Sequence, residues 1–331
     1  MKKFKFNFDF CGNLKKYIIG SASVLLIGII VFAIFGVNMD INFKGGSRFT
    51  YTYEGEIDTD DVKVVADKAL GKSTSVTLSS SAADAGSSKI IISAADVVDA
   101  EKISDKKSDK GTHQILEDAL NKEFKKNKIS FAESNIVEKT IAKGFYEKSL
   151  VAVALAAVLV VIYIGLRFRK IGGVSAALFS LVALLHDVLI AFFACVILGF
   201  EIDMNFIAVV MTIFGYSLND TIVIYDRIRE NRRKNRKVPL AEAVNLSINQ
   251  TLGRTILTTV TTFLAVVTVA VVAEFFGLTT LRSFAIPMAI GLVSGSYSSI
   301  CLCGPLWVKW QERKAAKKAV KDADYTKKQK R

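Results

Sequence analysis

Residues that usually build catalytic and metal sites are scarce in this sequence. Its 331 residues include four cysteines and two histidines. It contains no nucleotide-binding loop, no nucleophile–base pair and no cluster of metal-ligating residues. Residues 38–147 lack cysteine altogether, which excludes a disulfide framework there. We therefore expect no enzymatic activity, no metal and no cofactor, and we expect His113 to be a solvated helix residue.

Long apolar runs, in contrast, are abundant. A membrane span needs about 20 mostly apolar residues to cross about 30 Å of hydrocarbon. Six segments qualify: residues 17–37, 149–166, 174–198, 204–225, 255–276 and 284–308. The alternative is a large soluble protein with six buried helices, but too little polar chain remains to cover them. The sequence therefore predicts an α-helical polytopic membrane protein with six transmembrane helices.

The first apolar run has two interpretations. Basic residues precede it within residues 1–16, as in a secretory signal peptide. However, the run is long for the apolar region of a signal peptide, and no small-x-small cleavage site follows it. We therefore expect an uncleaved first span.

Charge is distributed unevenly between the two sides of the predicted spans. Residues 38–147 carry 16 Lys/Arg and 19 Asp/Glu, whereas the rest of the chain carries 28 Lys/Arg and 12 Asp/Glu. The basic residues cluster at alternate ends of the spans, including residues 227–237 and the tail 309–331. The positive-inside rule then places both termini in the cytoplasm and residues 38–147 on the other side of the membrane. The net charge of +13 is thus a topology signal, and we expect no nucleic-acid partner.

The predicted extracytoplasmic segment, residues 38–147, alternates strand-like and helix-like patterns. Strands are expected at residues 48–53, 75–78, 89–94 and 129–137, and helices at residues 58–70 and 112–126. A Ser/Ala/Gly-rich loop separates the middle strands, and a polar connector precedes the second helix. The order β-α-β-β-α-β predicts a small α+β ferredoxin-like domain.

The predicted cytoplasmic segment 226–253 begins with a basic stretch that could contact anionic lipid. Apolar residues then recur every four positions, at Leu240, Val244, Ile248 and Leu252. This spacing fits an amphipathic helix lying on the membrane surface. A connecting helix packed on neighbouring spans fits it almost as well.

Ionisable residues inside the predicted spans are the strongest functional signal. Each costs at least about 2.5 kcal/mol in hydrocarbon unless it is paired or hydrated. His186 and Asp187 lie near the middle of the third span, Asp220 follows Asn219 in the fourth, and Arg254 opens the fifth. The predicted topology places Asp220 and Arg254 at similar depth.

Polar residues accompany these charges at helical spacing on the fourth and fifth spans. They are Thr212, Tyr216, Asn219 and Asp220 on one, and Thr251, Arg254, Thr255, Thr258 and Thr262 on the other. Such polar faces favour a proton or cation relay. In this relay, movement of Arg254 relative to Asp220 switches the Asp220 carboxylate between its protonated and ionised forms. The alternative is a static ion pair that fixes helix packing. In the sixth span, the spacing of Gly291 and Gly295, with Ser294 and Ser298 nearby, would allow close helix approach.

Four stretches of the sequence form recognisable motifs. They are Phe43-Lys44-Gly45-Gly46, His186-Asp187, Gly215-Tyr216-Ser217-Leu218-Asn219-Asp220-Thr221 leading into Asp226-Arg227-Ile228-Arg229-Glu230-Asn231, and Thr251-Leu252-Gly253-Arg254-Thr255. These motifs resemble those of the SecD/SecF family of protein-export membrane proteins. The resemblance covers nearly the whole chain. The sequence departs from the family at Asn42, where an acidic residue is usual and Asp40 lies two positions earlier. It also departs at residues 137–140, where the family has a Val-Gly-Pro stretch.

This resemblance implies a fold similar to half of an RND-type transporter. It implies a heterodimer with a SecD-like subunit, association with the SecYEG channel, and use of the proton motive force to promote export of preprotein chains. By motif match, Asp220 and Arg254 correspond to the proposed proton-pathway pair.

Two other function classes are consistent with the residues. One is an RND-type exporter of small molecules or lipids, which usually has two such halves and a large external domain. The other is a structural membrane subunit whose buried charges only pack helices. Neutralising Asp220 separates the relay from the structural subunit, and the co-purifying partners separate export of proteins from export of small molecules.

Overall fold

The computed structural model describes residues 7–79, 88–95 and 111–329. The predicted Ser/Ala/Gly-rich loop and polar connector fall largely in the two internal gaps, outside the described residues. In chain order the elements are α1 (Leu14–Phe35), α2 (Ile41–Lys44), β1 (Gly46–Tyr53), α3 (Thr59–Leu70), β2 (Thr74–Ser79), β3 (Ser88–Ala94), α4 (Thr112–Glu123), β4 (Ser130–Val137), α5 (Lys139–Arg167), α6 (Gly173–Ile197), α7 (Met204–Lys234), α8 (Leu240–Phe275), α9 (Thr279–Tyr297), a π-helix (Ser298–Cys303) and α10 (Gly304–Gln329).

Six helical stretches in the described part of the chain are long and apolar enough to cross a membrane. They are α1, α5, α6, α7, α8 and the continuous stretch from α9 through the π-helix into α10. Together with the four-stranded sheet, they confirm the predicted fold class: a six-span helical membrane protein with a small extracytoplasmic α+β domain.

The helices extend further than the apolar runs alone indicated. Helix α7 continues to Lys234, so most of the predicted basic loop is helical. The segment predicted as a possible surface helix is the first part of α8. Its Val244 and Ile248 are fully buried against the rest of the protein. This burial favours the connecting-helix interpretation, because Val244 and Ile248 contact protein, and the surface helix stays a prediction.

The extracytoplasmic domain forms an antiparallel sheet in the order β2-β3-β1-β4. This is the arrangement of a ferredoxin-like β-α-β-β-α-β fold. Asp58 begins α3 as predicted, because its side chain accepts a hydrogen bond from the Asp60 N–H at 2.7 Å. His113 is half-buried, with its ring 4.7 Å from that of Phe131, so it is not the fully solvated residue expected.

The turn from α2 into β1 explains the first sequence motif. Gly45 and Gly46 have φ values of +77° and +140°, which favour glycine. A Cβ atom on Gly46 would lie 2.1 Å from the carbonyl oxygen of Ala94 on β3. Phe43 is buried, and its ring meets that of Tyr146 on α5. These motif residues therefore seat the extracytoplasmic domain on the membrane helices.

Helices α6, α7 and α9 form the interior of the bundle, whereas α1, α5 and α8 are mostly exposed. Helix α9 approaches α7 closely where the sequence has Gly291 and Gly295. A Cβ atom on Gly291 would lie 2.3 Å from Ile213 Cδ1, and one on Gly295 would lie 3.0 Å from Ser217 Cβ. The small-residue spacing thus brings the polar groups of these two helices together.

Candidate functional site

Asp187 lies at the junction of α6, α7 and α9 and is completely buried. Three hydroxyl groups donate hydrogen bonds to its carboxylate: Ser217 Oγ at 2.9 Å, Ser294 Oγ at 2.8 Å and Ser298 Oγ at 2.7 Å. Short hydrogen bonds to a carboxylate are among the strong ones, and low polarity nearby strengthens them. Asp187 is therefore firmly held in this conformation.

His186 connects this carboxylate to a groove on the side of the bundle. Its Nδ1 atom lies 3.0 Å from Asp187 Oδ1. Its Nε2 atom is buried and has no hydrogen-bond partner among the described residues. The groove, of about 560 Å³, lies between α1, α6, α8 and α9 and has mostly apolar walls, including Phe263 and Tyr297.

Asp220 is also buried, but it is held far more loosely. Its carboxylate accepts a hydrogen bond from Ser296 Oγ at 3.4 Å, and the Thr255 hydroxyl lies close enough to act on it as well. That distance is long for an O–H···O bond, whose usual length is about 2.7–2.8 Å. The Ser296 hydroxyl also contacts Thr259 Oγ1 on α8. Of the two carboxylates buried between the long helices, Asp187 and Asp220, Asp220 has the weaker hydrogen bonding.

Arg254 is near Asp220 without being bonded to it. The guanidinium is close enough to act electrostatically on the carboxylate. Within the described part of the chain, however, Arg254 forms no ion pair, and it is exposed on the surface of α8. Arg254 thus lies within electrostatic reach of Asp220, with no hydrogen bond or ion pair between them, and the predicted relay pair stays a prediction.

The two predicted polar stripes are only partly buried. On α8, Thr251 and Thr255 face the interior, whereas Arg254 is exposed and Thr258 is half-buried. On α7, Asp220 faces the interior. Thr212, Gly215 and Asn219 are exposed there, and Tyr216 is half-buried, with a buried hydroxyl that has no partner among the described residues. An exposed polar face therefore remains on the adjacent helices α7 and α8.

Sequence reasoning did not identify the hydroxyl groups that hold the carboxylates. Ser294 and Ser298 stood out only as small residues near the glycine pair. Ser217 appeared only as a member of the motif at residues 215–221, and Ser296 and Ser299 were not singled out. The available signal was the run of serines at residues 294–299, at the depth where the third and fourth spans carry their carboxylates.

The remaining motif residues lie at the end of the bundle far from the α+β domain. Asp226 on α7 pairs with Arg167 of α5 at 3.0 Å. Arg227 pairs with Glu230 at 2.6 Å and donates a hydrogen bond to Gln250 of α8 at 2.6 Å. These contacts link α5, α7 and α8, so they fix helix packing rather than contact the buried carboxylates.

A cluster of charged residues lies where the extracytoplasmic domain meets the helix bundle. Arg48 of β1 pairs with Asp40, which caps α2, and with Glu201 between α6 and α7 at 2.7 Å. Asn42 donates its side-chain N–H to Asp40 at 2.6 Å, so an amide here avoids a second negative charge. Burial raises the pKa of Glu201, and Arg48 offsets this only in part.

The described residues contain no group of three or more His, Cys, Asp or Glu side chains that could hold a metal ion. The fold therefore defines a six-span helical membrane protein with a small α+β domain, in which Asp187 and Asp220 are buried among hydroxyl groups.

Comparison with known proteins places the chain within a family. The family described as "Protein export membrane protein SecD/SecF, C-terminal" matches residues 116–313. The chain is 33% identical to the protein translocase subunit SecF of Alicyclobacillus acidocaldarius, over 94% of this chain and 95% of that one. It is 30% identical to the protein translocase subunit SecF of Petrotoga mobilis, over 93% of this chain and 97% of that one. The chain therefore belongs to the SecD/SecF family, which supports an accessory role in the Sec translocase.

Fused relatives are also similar. The chain is 31% identical to the protein translocase subunit SecDF of Bacillus subtilis, covering 93% of this chain and 39% of that one. The crystal structure of SecDF from Thermus thermophilus, named a translocon-associated membrane protein, matches with a TM-score of 0.77 and 28% identity, covering 94% and 40%. The chain thus spans about two fifths of the fused proteins, which indicates a SecD partner relationship.

Proposed function

We propose that this chain uses a transmembrane ion gradient, of protons or sodium ions, to promote export of preproteins through the SecYEG channel, together with a SecD-like subunit. The observation that carries the proposal is the loosely bonded Asp220 beside Arg254, which forms no ion pair with any residue that the structure describes. Ionisable groups inside a membrane are costly, and they mark ion pathways more often than they stabilise helices.

The chemistry follows from the position of the guanidinium. When Arg254 approaches Asp220, the carboxylate is ionised, and when Arg254 moves away, the carboxylate takes up a proton. Asp220 can alternate between these states because the hydroxyls that contact it, from Ser296 at 3.4 Å and from Thr255, hold it less tightly than three short hydrogen bonds hold Asp187. Asp187, with His186, forms a secondary part of the proton or cation path. Asn219 lies next to Asp220, on the exposed side of α7.

The exposed polar face of α7 and α8 supports a protein partner. Polar groups exposed to lipid are costly, and a glycine such as Gly215 allows close approach of another helix. A SecD-like subunit packed on Asn219 and Arg254 would remove both from lipid. We place both termini in the cytoplasm of a bacterial cell on the charge asymmetry, with anionic lipid near residues 227–237.

Neutralising Asp220 tests the proposal directly. Asp220→Asn keeps the size of the side chain and removes the titratable charge. It should abolish the stimulation of preprotein release by an ion gradient, measured with inverted vesicles, while abundance and SecD co-purification stay normal. Glu242→Gln, which neutralises an exposed carboxylate near the start of α8, is the matched control and should behave as wild type. Full gradient-dependent export in Asp220→Asn would refute the relay and leave the structural-subunit interpretation.

A further inference from the structure

One short stretch of α9 and the π-helix, residues 294–299, carries hydroxyl groups to both buried carboxylates. We call it the serine segment. Ser294 and Ser298 donate hydrogen bonds to the two oxygens of Asp187, at 2.8 and 2.7 Å. Because residues four apart lie on the same face of a helix, both hydroxyls reach the same carboxylate.

Ser296 points the other way. It lies two residues from either of these serines, which is more than half a turn around the helix. Its hydroxyl donates to Asp220 Oδ2 at 3.4 Å and contacts Thr259 Oγ1 on α8. The serine segment therefore runs between the two carboxylates, with one on each side.

A second set of contacts joins the serine segment to α7. Ser299 Oγ donates to the backbone carbonyl of Ser217 at 3.2 Å and lies 2.9 Å from Thr221 Oγ1. Ser217 itself donates to Asp187. Any movement of the serine segment along or around its axis would therefore displace the turn of α7 that carries Asp220.

The helix changes its hydrogen-bonding pattern inside the serine segment. The π-helix begins at Ser298 and ends at Cys303. π-Helical turns are rare, and they occur frequently at functional sites. All four of the hydroxyls discussed, at residues 294, 296, 298 and 299, lie within five residues of this transition.

We propose that the serine segment couples Asp187 and Asp220, and that Ser296 is the positioning residue that transmits a change of protonation between them. This inference rests on the proposed function. A carboxylate only accepts hydrogen bonds, whereas a protonated carboxyl group also donates one. When the proton binds Oδ2 of Asp220, this O–H can donate to Ser296 Oγ, and the Ser296 hydroxyl hydrogen then turns to Thr259 Oγ1. Ser296 lies about half a helical turn from Ser294 and from Ser298, so a shift of Ser296 moves the two hydroxyls that bond Asp187.

Three substitutions test the role of Ser296 in gradient-dependent export. Ser296→Ala removes the hydroxyl and should lower the gradient-dependent component about tenfold, the effect of one hydrogen bond to an ionised group. Ser296→Thr keeps a hydroxyl and should retain most of the activity. Thr268→Ala is the matched control, because the Thr268 hydroxyl is exposed on α8 and bonds only its own helix at Leu264. If Ser296→Ala reduces the abundance of the protein, Ser296→Cys is used in its place. The thiol is similar in size to the hydroxyl and is a weak hydrogen-bond donor.

An infrared measurement separates coupling from helix packing. The carbonyl stretch of protonated Asp220 would be followed in the purified complex in lipid and assigned by its loss in Asp220→Asn. The double variant Ser294→Ala/Ser298→Ala, which removes two hydrogen bonds from Asp187, should shift this band when Ser296 is present. In a Ser296→Ala background the shift should vanish. A serine segment that only packs helices would not make the shift depend on Ser296.

The outcomes distinguish this inference from the proposed function. If Asp220→Asn abolishes gradient-dependent export while Ser296→Ala keeps it in full, the coupling is refuted and the proposed function stands. If the infrared band of Asp220 does not shift in Ser294→Ala/Ser298→Ala, the coupling is also refuted. If Asp220→Asn leaves export intact, the proposed function fails, and the infrared band alone decides whether the carboxylates are coupled.

Discussion

Two arginines lie beside carboxylates in this protein, and their surroundings differ. Arg48, at the junction of the extracytoplasmic domain with the bundle, is bonded to both Asp40 and Glu201. Arg254, in the membrane, is near Asp220 but forms no ion pair among the described residues and is exposed. The first arrangement fixes one part of the molecule on another, whereas the second leaves both charges able to change partners.

The buried carboxylates show the same contrast. Asp187 accepts three hydroxyl hydrogen bonds of 2.7 to 2.9 Å, and Asp220 accepts one of 3.4 Å from Ser296. A fully bonded carboxylate resists change, because altering it leaves several donors without an acceptor. The loosely bonded site, Asp220 with Arg254, is therefore where an ion-driven step is expected.

Removing the arginine in the membrane should have the largest effect on function. Arg254→Ala leaves Asp220 without its neighbouring cation, so the carboxylate would stay protonated and gradient-dependent export should be lost. The double variant Asp220→Asn/Arg254→Ala should be no worse than either single variant, because the two residues act as a unit. Measurable gradient-dependent export in Arg254→Ala, at normal abundance, would contradict this prediction.

Removing the arginine at the domain junction should instead affect stability. Arg48→Ala leaves the buried Asp40 without its cation, which should cost about 2–3 kcal/mol. We expect a fall of several degrees in the unfolding temperature in detergent and faster proteolysis of the extracytoplasmic domain. Arg282→Ala is the control, because its ion pair with Glu274 is exposed and such pairs contribute about 0–1 kcal/mol. Equal effects of the two substitutions would show that Arg48 does not hold the domain in place.

Much of this fold was predictable because local patterns determine it. Spans follow from long apolar runs, and the domain follows from alternation and from caps such as Asp58. The similar depth expected of Asp220 and Arg254 likewise came from the predicted spans, and their role as a pair stays a prediction. All of these depend on residues close in sequence or on the dimensions of a bilayer.

What could not be predicted depends on how helices rotate and pack. Whether Val244 faced lipid or protein could not be decided from its spacing, because both surfaces favour apolar residues. The bonds from Ser217 and Ser296 require the close approach of α7 and α9, which the glycine pair permits but does not specify. The pairing of Arg48 with Glu201 joins residues 153 positions apart, and no local pattern encodes it.

Substituting the tightly held carboxylate should have an intermediate effect. Asp187→Asn replaces one acceptor oxygen with an N–H₂ group, so Ser217 and Ser298, or Ser294, must reverse from donor to acceptor. We expect gradient-dependent export to fall by less than in Asp220→Asn, with a lower unfolding temperature in detergent. Both would be measured in the same vesicle and thermal assays. Complete loss of gradient-dependent export, with an unchanged unfolding temperature, would make Asp187 rather than Asp220 the main titrating group.

The smallest effect should come from Glu201, the second acidic residue bonded to Arg48. Its effect on stability should depend on pH. Burial raises the pKa of Glu201, with contributions from Asp40 and Asp203 that Arg48 does not cancel. A raised folded-state pKa means that the folded protein binds the proton more tightly than the unfolded chain. Glu201 therefore stabilises the fold fully below the unfolded pKa of about 4.3, and this contribution is lost as pH rises through the folded pKa. Glu201→Gln does not titrate, so it should be more stable than wild type by about 1 kcal/mol or less at pH 7. The two unfolding temperatures should converge near pH 4. A difference that is constant with pH, or a less stable Glu201→Gln at pH 7, would mean that Arg48 fully compensates the buried charge.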